Sequence, residues 1–149
     1  MLRDKKNDLL PLLMMLEALE KIVVFSEGAE DAEAFYELND QLNFNAILNL
    51  LVHVGETCGK LSDDLLTSTP EIEWKKIRGL RNRIAHDYPG LDTFAVFEVV
   101  KNEIPALIEQ LYPVIVLRVS DGILDREELN AANGNRYYRH INFSILLGE

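Results

Sequence analysis

The chain has little of what disulfide-bonded or membrane-spanning proteins depend on. Cys58 is its only cysteine, so no internal disulfide can form, and the reducing cytoplasm is the expected compartment. Cys58 lies on an apolar helical pattern, which favours a small buried side chain over a nucleophile. No apolar run approaches the ~20 residues of a membrane span, because Pro11 interrupts the leucine-rich stretch 9–16. The charges before it do not resemble a signal peptide, and no membrane association is expected.

Common cofactor and metal motifs are also missing. The sequence contains no glycine-rich phosphate loop, no nucleophile elbow and no zinc-ligand spacing. His53 and Glu56 are three residues apart on a predicted helix, but two ligands do not make a metal site. We expect a hydrogen-bonded or surface pair there, with Glu56 also placed to meet Lys60. The sequence therefore predicts no metal and no cofactor.

The charge is strongly acidic but unevenly distributed. Fifteen Lys and Arg against 25 Asp and Glu give a formal charge of -10, which argues against a protein that coats nucleic acid without regard to sequence. Five of the 15 basic residues nevertheless fall within nine positions that contain no acid: Lys75, Lys76, Arg78, Arg81 and Arg83. This basic segment is either a solvated helix face whose positive charge balances acidic residues elsewhere in the chain, or an anion-binding surface.

Almost the whole chain has helical periodicity, so the fold class is all-α. Helices are predicted over 8–25, 31–38 and 45–61, followed by a loop over 62–69 and a fourth helix that starts at Thr69-Pro70-Glu71 and stops before Pro89-Gly90. Asp92 is expected to cap a long helix that Pro105 kinks or restarts. Residues 118–149 differ in character: a short helix is predicted over 126–132, ended by Asn133-Gly134, and the partial alternation in 136–147 fits a short strand.

The segment Arg81-Asn82-Arg83-Ile84-Ala85-His86-Asp87-Tyr88 carries the most informative chemistry. Asn82 and His86 are four apart and share a helix face, and the long side chain of Arg81 can bridge part of the about 140° between it and His86. His86 falls in the last helical turn, where free carbonyls favour its protonated form. A proton donor beside a phosphate-binding guanidinium could cleave RNA. By chemistry alone, Arg81 could equally pair with an acid and His86 cap the helix.

The C-terminal residues offer a second, weaker candidate. His140 stands among Tyr137, Tyr138, Arg136 and Arg139, a mixture that could stack nucleobases. The alternative is that this segment packs on the helices, crosses to a partner or forms a tail. We favour packing or a tail over base stacking.

At these residues the chain resembles the HepT-like branch of the HEPN family, over roughly residues 5–117. The resemblance is carried by Trp74-x-x-Ile77-x-Gly79-Leu80-Arg81-Asn82-Arg83-x-x-His86-x-Tyr88, by Asp92 and Glu103-Ile104-Pro105 after it, and by Val54-Gly55-Glu56 with Lys60-Leu61 before it. It implies an antiparallel helical bundle of four to five helices over residues 1–117, with 118–149 as a C-terminal extension packed on the bundle or on a partner.

The resemblance also implies a function. Members of this family are metal-independent endoribonuclease toxins of toxin–antitoxin pairs, and they place two copies of the motif at a homodimer interface. Carried over by position, Arg81 and His86 are catalytic, Asn82 is supporting, and Tyr88 is the tyrosine that a minimal nucleotidyltransferase antitoxin modifies with AMP. The expected partners are RNA, that antitoxin and a second copy of the chain, with oligomers above the dimer left open. The alternative is a non-catalytic HEPN scaffold that binds a nucleotidyltransferase or a nucleotide.

Overall fold

The computed structural model describes residues 7–87, 90 and 92–149, without the side chains of Arg81, Arg83, Ala85, His86 and Asp87. The fold is all-α, as predicted, and the described residues contain no strand. The helices are α1 (Leu9–Phe25), α2 (Ala32–Glu37), α3 (Leu42–Cys58), α4 (Asp63–Ser68), α5 (Trp74–Asp87), α6 (Thr93–Glu98), α7 (Ile104–Ser120), α8 (Arg126–Ala132) and α9 (Phe143–Leu147), with a π-helical segment (Val99–Glu103) between α6 and α7.

The long helices share one hydrophobic core. Helix α3 packs against α1 and α5, and α1 packs against α7. The central side chains are leucines and isoleucines that recur at helical spacing and are fully buried, among them Leu12, Leu16 and Leu19 of α1, Ile47 and Leu51 of α3, and Leu111 and Ile115 of α7. Burying one such side chain stabilises the fold by roughly 1.5–3 kcal/mol. The leucines that recur at helical spacing in α1 thus face the core.

Asp8 anchors the start of the bundle. Although only 4% exposed, its carboxylate accepts hydrogen bonds from the backbone N–H and the hydroxyl of Ser62, at 2.8 and 2.6 Å. A buried carboxylate is tolerated when donors satisfy its oxygens. The contact fixes the N-terminus of α1 against that of α4.

The helix predicted to follow Asp92 is present and is interrupted as Pro105 suggested. The Asp92 carboxylate accepts from the backbone N–H groups of Phe94 and Ala95 and caps α6. The π-helical segment follows, and α7 begins with Pro105 in its first turn, where a missing N–H leaves no intrahelical bond unmade. In the π-helical segment the N–H of Ile104 bonds to the carbonyl of Val99, five residues back.

Two local predictions around residues 62–73 are wrong. Residues 62–69 are not a loop, because Asp63–Ser68 forms α4, capped by the Ser62 hydroxyl, which accepts from the N–H of Leu65 at 3.1 Å. The next helix begins at Trp74 and not after Thr69. The Thr69 hydroxyl does not cap it, because that hydroxyl donates to the Leu65 carbonyl and accepts from the Trp74 indole N–H.

The strand predicted within 136–147 is also wrong. Phe143–Leu147 is helix α9, which Asn142 caps through its side chain and Gly148 ends with a φ of 74°. Helix α9 packs against α7, with Phe143 and Leu146 buried. By contrast, the short helix α8 has the predicted bounds, with Asp125 at its N-cap and Asn133 at its C-cap.

The C-terminal residues 118–149 lie on the bundle in this structure. Leu124, Leu129, Tyr138 and Ile141 are buried in the same core as the long helices. Burial of these side chains therefore contributes to the stability of the whole bundle. Among the described helices, none is both long and apolar enough to cross a membrane.

Candidate active site

Helix α5 carries the predicted site and has a buried and an exposed side. Trp74 and Ile84 are buried, and Ile77 and Leu80 are partly buried against the core. Their three- and four-residue spacing places them on one side of the helix. Lys75, Arg78 and Asn82 are exposed. The buried side packs on α3, so the polar residues of α5 occupy a rigid element.

The backbone places three of the four predicted site residues on this one helix. Arg81, Asn82 and His86 all belong to α5, and His86 lies in its last turn, one residue before the helix ends at Asp87. Asn82 is exposed. The side chains of Arg81 and His86 lie outside the described part, as does all of Tyr88, so their assignment remains a prediction from the sequence.

The start of α5 is fixed by Trp74. The indole N–H donates to the Thr69 hydroxyl at 2.9 Å, and that hydroxyl donates to the Leu65 carbonyl at 2.7 Å. Both hydrogen bonds are buried, and a buried Trp N–H needs such a partner. The chain from Leu65 to Trp74 thereby ties the end of α4 to the start of α5.

The basic residues of α5 differ in their neighbours. Lys76 forms ion pairs with Glu73, at 3.8 Å, and with Glu103 of the π-helical segment. A hydrogen bond and charge attraction from Glu103 raise the pKa of Lys76 above its ordinary value. No described carboxylate forms an ion pair with Lys75 or Arg78. Their charges are therefore available to an anion.

The remaining sequence candidates on α3 show no catalytic arrangement within the described residues. Cys58 is buried, and burial raises its pKa to about 12 despite the opposing influence of Arg78, so it stays a thiol at neutral pH. His53 has a buried Nε2 with no described hydrogen-bond partner, and Glu56 is exposed. The described residues contain no group of three or more His, Cys, Asp or Glu that could hold a metal.

The aromatic C-terminal segment is bound to α1. Glu17, which is 1% exposed, accepts from the backbone N–H of His140 at 2.7 Å and faces its ring Nδ1 at 2.6 Å. Lys21 lies 3.7 Å from the same carboxylate and 5.5 Å from the centre of the Tyr137 ring. Tyr138 is buried. The segment packs on the helices, and no motif in the sequence indicates that Glu17 is its anchor.

A sequence profile described as Ribonuclease HepT-like matches residues 15–114. The protein named "Putative RNase MJ1216" of Methanocaldococcus jannaschii is 29% identical over 101 residues, covering 68% of this chain and 81% of that one. "Probable ribonuclease HepT" of Thermococcus cleftensis is 23% identical over 105 residues, covering 70% of this chain and 87% of that one. No solved structure gives a significant match. The profile spans α5 with its Arg81–His86 motif, and the chain belongs to the Ribonuclease HepT-like family.

Proposed function

We propose that this chain is a metal-independent endoribonuclease and the toxin of a toxin–antitoxin pair, with Arg81 and His86 as its catalytic residues. The supporting observation is an intact Arg-Asn-x-x-x-His motif on one helix, α5, inside the region that matches the ribonuclease family. The names of the relatives favour the same activity. Asn82 would support the site from the same helix.

Cleavage of RNA by its own 2′-oxygen requires only a base, an acid and a cation from the protein. The ribose 2′-oxygen attacks the adjacent phosphorus as a base removes its proton, and the bond to the 5′-oxygen breaks as an acid protonates that oxygen. Arg81 would stabilise the charge that gathers on the phosphorane oxygens. His86, at the C-terminal end of α5, sits where the helix dipole favours an imidazolium that donates the proton.

One histidine fills one proton-transfer role at a time. A base and an acid are both needed in a single turnover, and each contributes about 100- to 10,000-fold to the rate. A homodimer that brings two His86 residues to one substrate would supply both. We therefore include a composite site, shared between two copies of the chain, in the proposal.

The mechanism fixes the products and the substrate. In EDTA, the purified chain should cut RNA into fragments that end in a 2′,3′-cyclic phosphate, because the attacking oxygen belongs to the substrate. An RNA with a single 2′-deoxy sugar at the cleavage position should stay intact there and be cut elsewhere. Mass spectrometry of the fragments measures both results. A chain that leaves RNA uncut would favour the non-catalytic scaffold, and cleavage at the deoxy position would contradict the 2′-oxygen mechanism.

The second part of the proposal is control through Tyr88 by a minimal nucleotidyltransferase antitoxin. The tyrosine hydroxyl would lose its proton as its oxygen attacks the α-phosphorus of ATP, and the bond from that phosphorus to pyrophosphate would break. The added phosphate, two residues from His86 in sequence, would compete with RNA for Arg81. AMPylation would thus switch off cleavage without unfolding the bundle.

Changing Tyr88 to phenylalanine should abolish the adduct. We expect intact mass after co-expression with the antitoxin to show one or more AMP units on the parent and none on Tyr88→Phe. Tyr137→Phe is the matched control, because Tyr137 is 46% exposed and lies on the C-terminal segment. It should be modified like the parent. An adduct that persists on Tyr88→Phe would refute the assignment.

A further inference from the structure

Two hollows flank α5, and they differ in charge. The first, of about 680 Å³, lies between α3, α5 and α7 and is bordered by three carboxylates and one ammonium group, from Glu71, Glu73, Glu103 and Lys76. The second, of about 600 Å³, lies between α4 and α5 and is bordered by three cations and one carboxylate, from Lys75, Lys76, Arg78 and Glu73. An RNA phosphate is repelled by the first rim and attracted by the second.

The second space, which we call the cationic hollow, has an apolar wall. Leu66 of α4, Ile72 and Trp74 line it together with the charged side chains, which we call its rim. Ile72 and Trp74 are buried, and the Trp74 indole N–H is already bound to Thr69. The wall thus offers apolar surface, and polar recognition is left to the rim. Such a combination suits a group with a flat apolar face and an attached anion, as a nucleotide has.

The two rim cations that can serve an anion are Lys75 and Arg78. Lys76 forms ion pairs with Glu73 and with Glu103, so the charges of Lys76 and Glu73 are largely neutralised. The Arg78 guanidinium rests against the end of α3, since a Cβ on Gly59 would lie 3.0 Å from its Nη2. Glycine at that position leaves room for the guanidinium beside the hollow.

We propose that the cationic hollow binds an unpaired RNA strand next to the cleavage site, with phosphates at Lys75 and Arg78 and a base against the apolar wall. The inference rests on the proposed function, because its ligand is that function's substrate. Lys75, Arg78 and Asn82 follow one exposed side of α5, and the position of His86 falls one turn further along it. Arg78 and His86 are ~12 Å apart along the axis at 1.5 Å per residue.

Salt-dependent RNA binding tests the hollow. In a His86→Ala background, which keeps the probe uncut, a short fluorescent single-stranded RNA is titrated by anisotropy at several salt concentrations. Each phosphate contact on a single strand contributes ~0.7 to the slope of log K against log salt, so Lys75→Gln/Arg78→Gln should lower the slope by ~1.4. An unchanged slope would overturn the proposal.

The matched control is Arg136→Gln/Arg139→Gln. It removes the same two charges from exposed positions on the C-terminal segment. It should leave the slope near the parent's, and an equal fall in both double variants would show that net charge, not the hollow, governs binding. Binding of an RNA duplex is compared with binding of the single strand, because the paired bases of a duplex cannot reach the apolar wall. Binding of the duplex as tightly as the single strand would overturn the placement of a base.

The outcome is separable from that of the proposed function. Cleavage by the parent with an unchanged slope in Lys75→Gln/Arg78→Gln would leave the nuclease standing and remove the hollow. A reduced slope in Lys75→Gln/Arg78→Gln, with a parent that does not cut RNA, would keep the hollow as an RNA-binding site and remove the nuclease. Circular dichroism of each variant confirms that the fold is retained.

Discussion

Replacing His86 with alanine should lower the rate of RNA cleavage by about 100- to 10,000-fold, because the variant loses the group that moves a proton in the rate-limiting step. If the site is shared between two chains, each dimer of the variant loses both His86 side chains. The fall in rate should then lie toward the upper end of this range. The measurement is single-turnover cleavage of a fluorescent RNA in EDTA. Growth inhibition on expression should disappear in parallel.

The matched control is His140→Ala. His140 lies on the C-terminal segment and contacts Glu17 of α1, and nothing in the proposal gives it a part in cleavage. Its variant should cut RNA at the parent's rate at temperatures where it is folded. Equal rates for His86→Ala and the parent would remove His86 from the site. A similar loss in both variants would indicate damage to the fold instead of lost chemistry.

The second large effect is on stability, and it also concerns His140. Removing its ring takes one charge-assisted hydrogen bond, the one at Nδ1, from the buried Glu17 carboxylate, which keeps the backbone N–H of His140. The loss costs about 1.5–3 kcal/mol. For a chain of this size, in which 1 kcal/mol shifts Tm by about 2–4 °C, that corresponds to a fall of roughly 3–12 °C. Urea unfolding should show a lower midpoint with an unchanged slope if the C-terminal segment unfolds together with the bundle.

A double-mutant cycle separates the pair from its surroundings. Glu17→Gln and His140→Ala should each destabilise, and together by less than their sum, with a coupling of about 0.5–3 kcal/mol. Glu27→Gln is the control, because Glu27 is exposed just beyond the end of α1. It should change stability by about 0.5 kcal/mol or less and show no coupling to His140. Additive effects of Glu17→Gln and His140→Ala would contradict a direct interaction.

The sequence predicted the long helices well because their signals are local. Apolar residues at three- and four-residue spacing identified α1, α3 and α5, and side-chain caps at Asp92 and Asp125 identified where two later helices begin. The resemblance at the tryptophan-to-tyrosine block supplied the family. Helix periodicity, caps and the family motif each depend on residues that are close together in the sequence, so the sequence alone is enough to identify them.

The errors occurred where tertiary contacts decide between local alternatives. Thr69-Pro70-Glu71 has every local sign of a helix start, but the Thr69 hydroxyl is engaged by Trp74 and Leu65. Residues 136–147 partly alternate like a strand, yet no neighbouring strand is present among the described residues, and α7 offers a surface on which a helix packs. The cationic hollow was missed for the same reason. Its basic residues are evident in the sequence, but its other side is formed by α4, where the sequence predicts a loop.

The π-helical segment also keeps the buried residues of α6 and α7 on the same side. Between Val96 and Val119, one row of buried aliphatic residues recurs mostly every four positions: Val96, Val100, Ile104, Leu107, Leu111, Ile115 and Val119. A regular helix turns once in about 3.6 residues, so a four-residue rhythm would carry this row slowly around the axis and out of the core. The wide turn at Val99–Glu103 absorbs about one surplus residue. Residues on both sides of it therefore stay in phase, and α6 and α7 contribute to the same core as one continuous element.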